Sequence, residues 1–255
     1  MKAIIWTKYG PPESLCLAEA PKPIPKHNQV LIKIHAATVT AGDCEIRRFE
    51  IARWIWLPLR LYMGIFKPRI KILGQEFSGE IESVGKNVTQ YRPGDKIFAP
   101  TQMNFGAYAE YICMPANYII SIKPDNISYE EAATLPTGGL NALHFIRKAN
   151  IQSGQHLLIN GAGGSIGTYA IQLAKQLGAE VTAVDSTHKL QTLKAIGADH
   201  VIDYTKEDFS NSGTKYDIII DIVGKHSFSR CVKALKKNGT CIMGNPRFSG
   251  TMRGL

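Results

Sequence analysis

Four glycines, Gly161, Gly163, Gly164 and Gly167, crowd one short turn in the stretch LLINGAGGSIGTYAIQLAKQLGAEVTAVD, residues 157–185. Such a turn can bind a diphosphate, because glycines lacking side chains let phosphate oxygens approach free N–H groups at a helix start. The spelling departs from G-x-G-x-x-G: its sixth position is Ile166, and the last glycine falls at Gly167. Read as glycines at 161, 164 and 167, the spacing still permits a tight turn with close helix–strand packing. The competing reading is a purely structural glycine turn. Downstream, Asp185 suits the adenosine ribose hydroxyls of NAD and repels a 2′-phosphate, whereas Ser186, Thr187 and Lys189 offer two hydroxyls and a cation that suit NADP. Spacing alone leaves both cofactors open.

Other residues able to do chemistry are more scattered. Thr38–Arg48 (TVTAGDCEIRR) mixes hydroxyls, an acid and a glycine. Asp43 there orients a ligand or a neighbouring arginine, or else caps a turn or helix, which is the commoner role. Cys44 lacks partners and reads as a small buried hydrophobe. Glu76, beside turn glycines in Gly74-Gln75-Glu76-Phe77-Ser78-Gly79, suits capping of backbone amides or pairing with a base. Thr137 follows Pro136 and precedes Gly138-Gly139, which places a hydroxyl near a domain junction; His144 reads as a structural histidine. No H-E-x-x-H and no grouped Cys/His pattern is present, so the sequence displays no metal site.

These groups need elements to hold them. Leu157–Ile159 reads as a strand. Ile166, Ala170, Leu173, Ala174 and Leu177 recur at helical spacing, Gly178 stops that helix, and Val181–Val184 is a second strand ending at Asp185. A helix over Lys189–Ile196, a strand His200–Tyr204, an almost wholly apolar strand Tyr216–Ile222, a helix Ser227–Leu235 and a strand Thr240–Met243 follow. Alternation of this kind predicts a parallel sheet covered by helices, with ligands outside the carboxyl ends of its strands. Tyr204, Val223, Gly224 and Gly244 stand at such ends; the last two line a cofactor cleft or serve as helix-entry turns. The first half differs: Lys2–Trp6, Gln29–Ala36, Phe77–Val84, Lys96–Phe98 and Ala109–Ile112 are short strand-like runs separated by turns such as Pro93-Gly94-Asp95. We therefore read an α/β chain with a β domain over residues 1–122 and a dinucleotide-binding domain over 123–255.

The stretch WIWLPLRLYMGIF, Trp54–Phe66, is apolar and aromatic but too short to span a bilayer and is interrupted by Pro58, Arg60 and Gly64. It reads as a lid over an apolar pocket, then as a subunit contact, then as a shallow membrane contact; an ordinary buried segment competes with the lid. Among 255 residues the five cysteines form no C-x-x-C, which fits a reducing cytoplasm. The amino terminus lacks a long apolar region of the signal-peptide kind. A net charge of +9 is spread over both halves with acids interspersed, and no basic helix or RNA-binding motif accompanies it, which argues against nucleic acid as a partner.

Several blocks in order resemble the zinc-independent branch of the medium-chain dehydrogenase/reductase superfamily, the quinone oxidoreductase (zeta-crystallin-like) group. They are MKAIIWTKYG, ILGQEFSGEIESVGKNV with RPGDKIFA, GAYAEY, EAATLPTGGLNAL and INGAGGSIGTYAIQLAKQLGA. The resemblance implies a GroES-like catalytic domain, a Rossmann domain, an intervening cleft and a homodimer. Zinc-dependent relatives place a cysteine where Thr40 stands and a histidine where Gln75 stands, so the ligand set is broken twice. Thr137 matches the position lining the nicotinamide, Gly163, Gly164, Ser165 and Ile166 match the pyrophosphate loop, and Ser186 with Lys189 resembles the pattern associated with NADPH; Asp185 departs from it. Relatives continue beyond a fifth Rossmann strand and return to complete the catalytic domain. The reading is thus of a truncated Rossmann part lacking the last strand, with the dimer weakened.

The resemblance implies hydride transfer from NADPH, with NAD as the other cofactor, to a small hydrophobic quinone or α,β-unsaturated carbonyl compound without zinc. Hydroxyls or N–H groups would stabilise the electron-rich oxygen so formed, with Thr40 and Tyr62 the candidates and Asp43 positioning its neighbours. The rivals are a nucleotide-binding protein without turnover and a zinc-free alcohol or enone reductase.

Overall fold

The structure, a computed structural model, describes residues 1–224 and 228–244, without the side chains of Arg53 and Trp54. The chain divides into two compact units, Met1–Thr137 and Gly138–Leu255. The sequence reading put the division at 122/123. The stretch between that point and Thr137 packs with the first unit: the Lys123 N–H donates to the Lys96 carbonyl at 2.8 Å, and the Ser78 hydroxyl donates to the Tyr129 carbonyl at 2.5 Å.

The first unit runs β1 (Lys2–Trp6), β2 (Leu15–Glu19), β3 (Gln29–Ala37), α1 (Ala41–Arg48), α2 (Arg53–Met63), β4 (Glu76–Val84), β5 (Lys96–Pro100), β6 (Tyr111–Pro115), β7 (Ser121–Ile122) and α3 (Tyr129–Ala133). β1 and β2 pair as an antiparallel ribbon. The other strands form one antiparallel sheet in the order β6-β3-β4-β5-β7. Val30, Ile32, Phe77, Ile81 and Ile97 are fully buried on it, and a second cluster gathers Trp6, Phe49, Met63, Leu73 and Phe105. Each large side chain so buried contributes about 1.5–3 kcal/mol. β2 and β7 were not foreseen, and α1 realises the helix-capping alternative read for Asp43.

α2 resolves the odd apolar stretch. It starts at Ala52 without a side-chain cap, carries Pro58 inside, and stops at Gly64 with φ 114°. Proline there removes a helix hydrogen bond, so packing must supply the stability: Met63 is fully buried and Leu59 packs on the same cluster. The other face is open, with Leu57 61% and Leu61 51% exposed, and Phe66 beyond the helix is 89% exposed. The segment is neither wholly buried nor wholly free. No helix among the described residues is long and apolar enough to cross a membrane.

The second unit runs α4 (Leu140–Ala149), β8 (His156–Asn160), α5 (Ser165–Gln176), β9 (Glu180–Asp185), α6 (Leu190–Ala195), β10 (His200–Asp203), β11 (Tyr216–Asp221), α7 (Phe228–Ala234) and β12 (Leu235–Met243). Its sheet is parallel throughout, in the order β10-β9-β8-β11-β12. Side chains alternate between faces with period two. Leu157, Ile159, Val181, Ala183, Ile218 and Ile220 meet α4, α5 and α6 on one face. Leu158, Val184, Ile202 and Ile219 meet Cys231 and Ala234 of α7 on the other. Burial on both faces explains why these strands read as continuous apolar runs. The last strand begins at Leu235, earlier than expected, and takes the end of the foreseen helix. Ser227, the first residue of that foreseen helix, lies outside the described residues. The strand order reverses between β8 and β11, which is where an open α/β sheet offers a ligand crevice.

Candidate functional site

The glycine turn leaves the carboxyl end of β8 at that reversal. Gly161 has φ 85°, and a Cβ there would stand 2.6 Å from Val223 Cγ2; only glycine fits. At Gly167 a Cβ would lie 2.5 Å from Ala162 Cα, so this residue serves close packing of α5 on the turn. Gly164 differs. A Cβ there would meet nothing nearer than the Gly161 carbonyl at 3.6 Å, so the protein itself does not require glycine at that place. Gly164 is also the N-cap of α5 and supplies no side-chain cap, leaving the first-turn N–H groups to other acceptors. A cleft of about 350 Å³ opens here, lined by Asn160, Gly161, Gly164, Val184, Asp185, Lys189, Tyr204, Ile222 and Val223.

Six of the residues singled out from the sequence thus share one cleft: Gly161, Gly164, Asp185, Lys189, Tyr204 and Val223. Gly163, Ser165, Ile166, Ser186, Thr137 and Gly244 are not among its lining residues. The Gly163 N–H is already engaged, donating to Asp185 Oδ2 at 2.7 Å. The Gly244 N–H donates to the Asp221 carbonyl at 2.8 Å.

Asp185 proves to be a structural clasp. Its Oδ1 accepts from the Ser186 N–H at 2.8 Å and the Ser186 hydroxyl at 3.1 Å, and Lys189 Nζ stands 3.4 Å away. Burial pushes its carboxyl up, but the Ser186 and Gly163 amides and Lys189 outweigh that and hold it below the ordinary value. The negative charge that argues against a 2′-phosphate is therefore largely matched from within. Next to it, the Thr187 and Thr205 hydroxyls hold the Asp203 carboxyl down at about 2.

Sequence reasoning named Val223 on the opposite wall but missed the carboxylate that sets it. Asp221 is fully buried at the end of β11. Its Oδ1 accepts from Asn160 Nδ2 at 2.9 Å, the Val223 N–H at 3.1 Å and the Gly224 N–H at 3.0 Å. This carboxylate ties β8 to the turn that presents Val223. The available signal was a polar residue ending each of two apolar strands, Asn160 and Asp221.

In the first unit, Thr40 and Asp43 come together as a capping box on α1. The Thr40 hydroxyl donates to Asp43 Oδ2 at 2.7 Å and accepts from the Asp43 N–H at 3.1 Å, and the Thr40 N–H donates to the same carboxylate oxygen at 3.0 Å. Gln75 closes on this spot, since a Cβ on Gly42 would stand 3.2 Å from its Oε1. Tyr108 borders it too. Burial, with the Asp43 carboxylate beside it, pushes the Tyr108 phenol well above its ordinary value. Asp43 Oδ1 and Tyr108 Oη are buried with no hydrogen-bond partner among the described residues. Tyr62 does not join this network; it is 54% exposed on α2. Glu76 links two expected site regions, accepting from the Thr38 hydroxyl at 2.5 Å and from the Thr137 N–H at 2.6 Å.

Comparison with known proteins agrees with this architecture. Residues 26–124 match the model of the alcohol dehydrogenase GroES-like domain, and residues 165–246 that described as zinc-binding dehydrogenase. The chain is 33% identical over 253 residues to a 2-methylene-furan-3-one reductase of Solanum lycopersicum, covering 95% of this chain and 62% of that protein. It is 31% identical over 253 residues to a chloroplastic NADPH-dependent alkenal/one oxidoreductase of Arabidopsis thaliana, with the same coverage of 95% and 62%. The solved quinone oxidoreductase of Coxiella burnetii superposes with a TM-score of 0.84 at 35% identity, over 94% of this chain and 74% of that one. The chain thus spans about 62% of the length of the first two relatives. A GroES-like sheet followed by a doubly wound parallel sheet, with relatives of this kind along both, places the chain in the medium-chain dehydrogenase/reductase superfamily, as a member of its quinone oxidoreductase group.

Proposed function

We propose that the chain binds NADPH at the Gly161–Lys189 cleft and belongs to an oxidoreductase that reduces a quinone or an α,β-unsaturated carbonyl compound. The observation that carries the reading is Gly164: glycine stands where the fold tolerates a side chain, over an uncapped helix start, at the reversal of a parallel sheet. That is the signature of a surface kept clear for phosphate oxygens. The preference for a 2′-phosphate follows from Lys189, 39% exposed and, among the described residues, held by a 3.4 Å ion pair to Asp185, so its ammonium can turn to a second anion. Ser186 and the exposed Tyr204 stand beside it.

When bound, the reduced nicotinamide supplies the hydride. Asp221 keeps Val223 in place, and Glu76 fixes the backbone of Thr137. At the acceptor, Thr40 is the proposed donor to the developing oxyanion. Its hydroxyl proton now points to Asp43, so it must turn to reach a substrate oxygen. Tyr62 enters the proposal as an aromatic surface for a flat apolar substrate. A reducing cytoplasm and a homodimer complete it, supported respectively by five free thiols and by the resemblance to the group.

Fluorescence titration with NADPH and NADH tests the cofactor, on the natural chain and on Lys189→Ala. The expected outcome is preference for NADPH, lost in the variant; equal affinities in both proteins refute the phosphate role. Loss of NADPH absorbance with quinones and then enones ranks the acceptors. Binding without oxidation of NADPH by either class returns the chain to a nucleotide-binding protein without turnover.

A further inference from the structure

The three strands that carry the dinucleotide unit open with groups of a different chemistry at the far margin of the sheet. The first residues of β8, β9 and β10 are His156, Glu180 and His200. Parallel pairing sets His156 against Glu180, and His200 against Thr182. Because Glu180 and Thr182 are two apart on one strand, all three side chains fall on one face. One nitrogen or carboxylate oxygen from each lies within 4.8 Å of the others. The sequence does not reveal this set, since its members come from separate strands.

We propose that His156, Glu180 and His200 form a binding site for a late first-row divalent cation such as Zn²⁺. Two imidazoles and a carboxylate are the donors such ions favour. With bonds of about 2.1 Å and tetrahedral angles, ligand atoms sit roughly 3.4 Å apart. His200 Nε2 and Glu180 Oε1, at 2.8 Å, are already inside that separation, and the widest pair, within 4.8 Å, must close by at most about 1.4 Å, a movement within reach of exposed side chains. The His156 ring is the fixed member: it packs edge-on against Tyr216 with centroids 4.7 Å apart, and its Nε2 lies 3.0 Å from Thr182 Oγ1. Outer contacts of this kind orient a ligating imidazole. The strands beneath are held by buried Leu158, Val184 and Ile202, so the ligand backbones are preorganised. Three protein ligands leave a position for water. The ion clamps the amino ends of β8, β9 and β10, away from the glycine turn at the carboxyl end of β8, and takes no part in hydride transfer.

Zinc chloride titrated calorimetrically into the full chain, under a phosphine reductant, tests the site without any activity. One equivalent is expected to bind, with a zinc-edge absorption spectrum showing a nitrogen/oxygen shell and no sulfur. Binding should weaken at least about tenfold in His156→Ala, His200→Ala and Glu180→Gln, and persist in His27→Ala in the other unit. His200 and Glu180 are exposed, so their variants test the site even if His156→Ala unfolds. No binding at millimolar zinc, unchanged affinity in His200→Ala, or a sulfur shell from the five thiols overturns the assignment.

Discussion

Replacing Gly164 and Gly161 by alanine, one at a time, separates a glycine kept for a ligand from one kept for the fold. Gly161 has φ 85° and would put its new methyl 2.6 Å from Val223 Cγ2. The left-handed backbone costs an alanine about 1–2 kcal/mol, and the overlap adds about 1–3 kcal/mol. A less flexible unfolded chain offsets about 0.4–1 kcal/mol, leaving about 2–4 kcal/mol of destabilisation. Gly164 has φ −90° and ψ 170°, ordinary for alanine, and its methyl would reach nothing nearer than 3.6 Å. There the unfolded-chain gain is met by the poorer N-cap quality of alanine, and stability should stay within about 1 kcal/mol. The Gly164 methyl enters the cleft, however, and NADPH affinity should drop at least tenfold, about 1.4 kcal/mol. Urea unfolding measures the first pair of values, and NADPH fluorescence titration the second. A Gly164→Ala protein that is folded and binds NADPH as the natural chain does would refute the idea that this glycine clears space for the diphosphate.

Three further outcomes follow from the geometry. Asp43→Ala removes the carboxylate half of the α1 capping box, the acceptor of the Thr40 N–H and hydroxyl, and leaves the Asp43 N–H donating to Thr40; it should cost about 1–2 kcal/mol in urea unfolding, while Asp43→Asn, which keeps an acceptor, should cost less. Glu76→Ala removes the acceptor of the Thr137 N–H and should cost about 1–3 kcal/mol, with faster hydrogen exchange at the Thr137 amide than in the natural chain; unchanged exchange would sink the tether. Asp203 titrates at about 2 in the fold against an ordinary 3.8. Its stabilisation is therefore complete above pH 3.8 and is lost as pH falls towards 2, because the unfolded chain takes up the proton first. Acid unfolding of Asp203→Asn should lack that segment of the slope.

Much of the architecture was legible from the residues because its causes are local. Apolar runs that end in glycine turns, helices spaced by 3.6 residues and the acid after the second strand follow from periodicity and turn chemistry. They gave most of the strands of the β domain and the alternation behind the parallel sheet; that Gly161, Gly164, Asp185 and Lys189 line one cleft is a finding of the structure. α2 escaped because a proline within an apolar run is ambiguous until Met63 and Leu59 find a core. β7 escaped because two residues carry no period.

What the chain alone determined is which residues stand near one another along it: a glycine turn between a strand and a helix, followed by Asp185, Ser186 and Lys189. What only the tertiary structure decided is how the polar groups are used. Asp185 faces inward to the Gly163 amide, Asp221 joins Asn160 to the Val223 turn, Glu76 reaches Thr137, and three strand starts gather His156, Glu180 and His200. A buried carboxylate must find donors wherever the fold supplies them, and those donors arrive through strand pairing and packing between segments far apart in sequence, which no local pattern encodes.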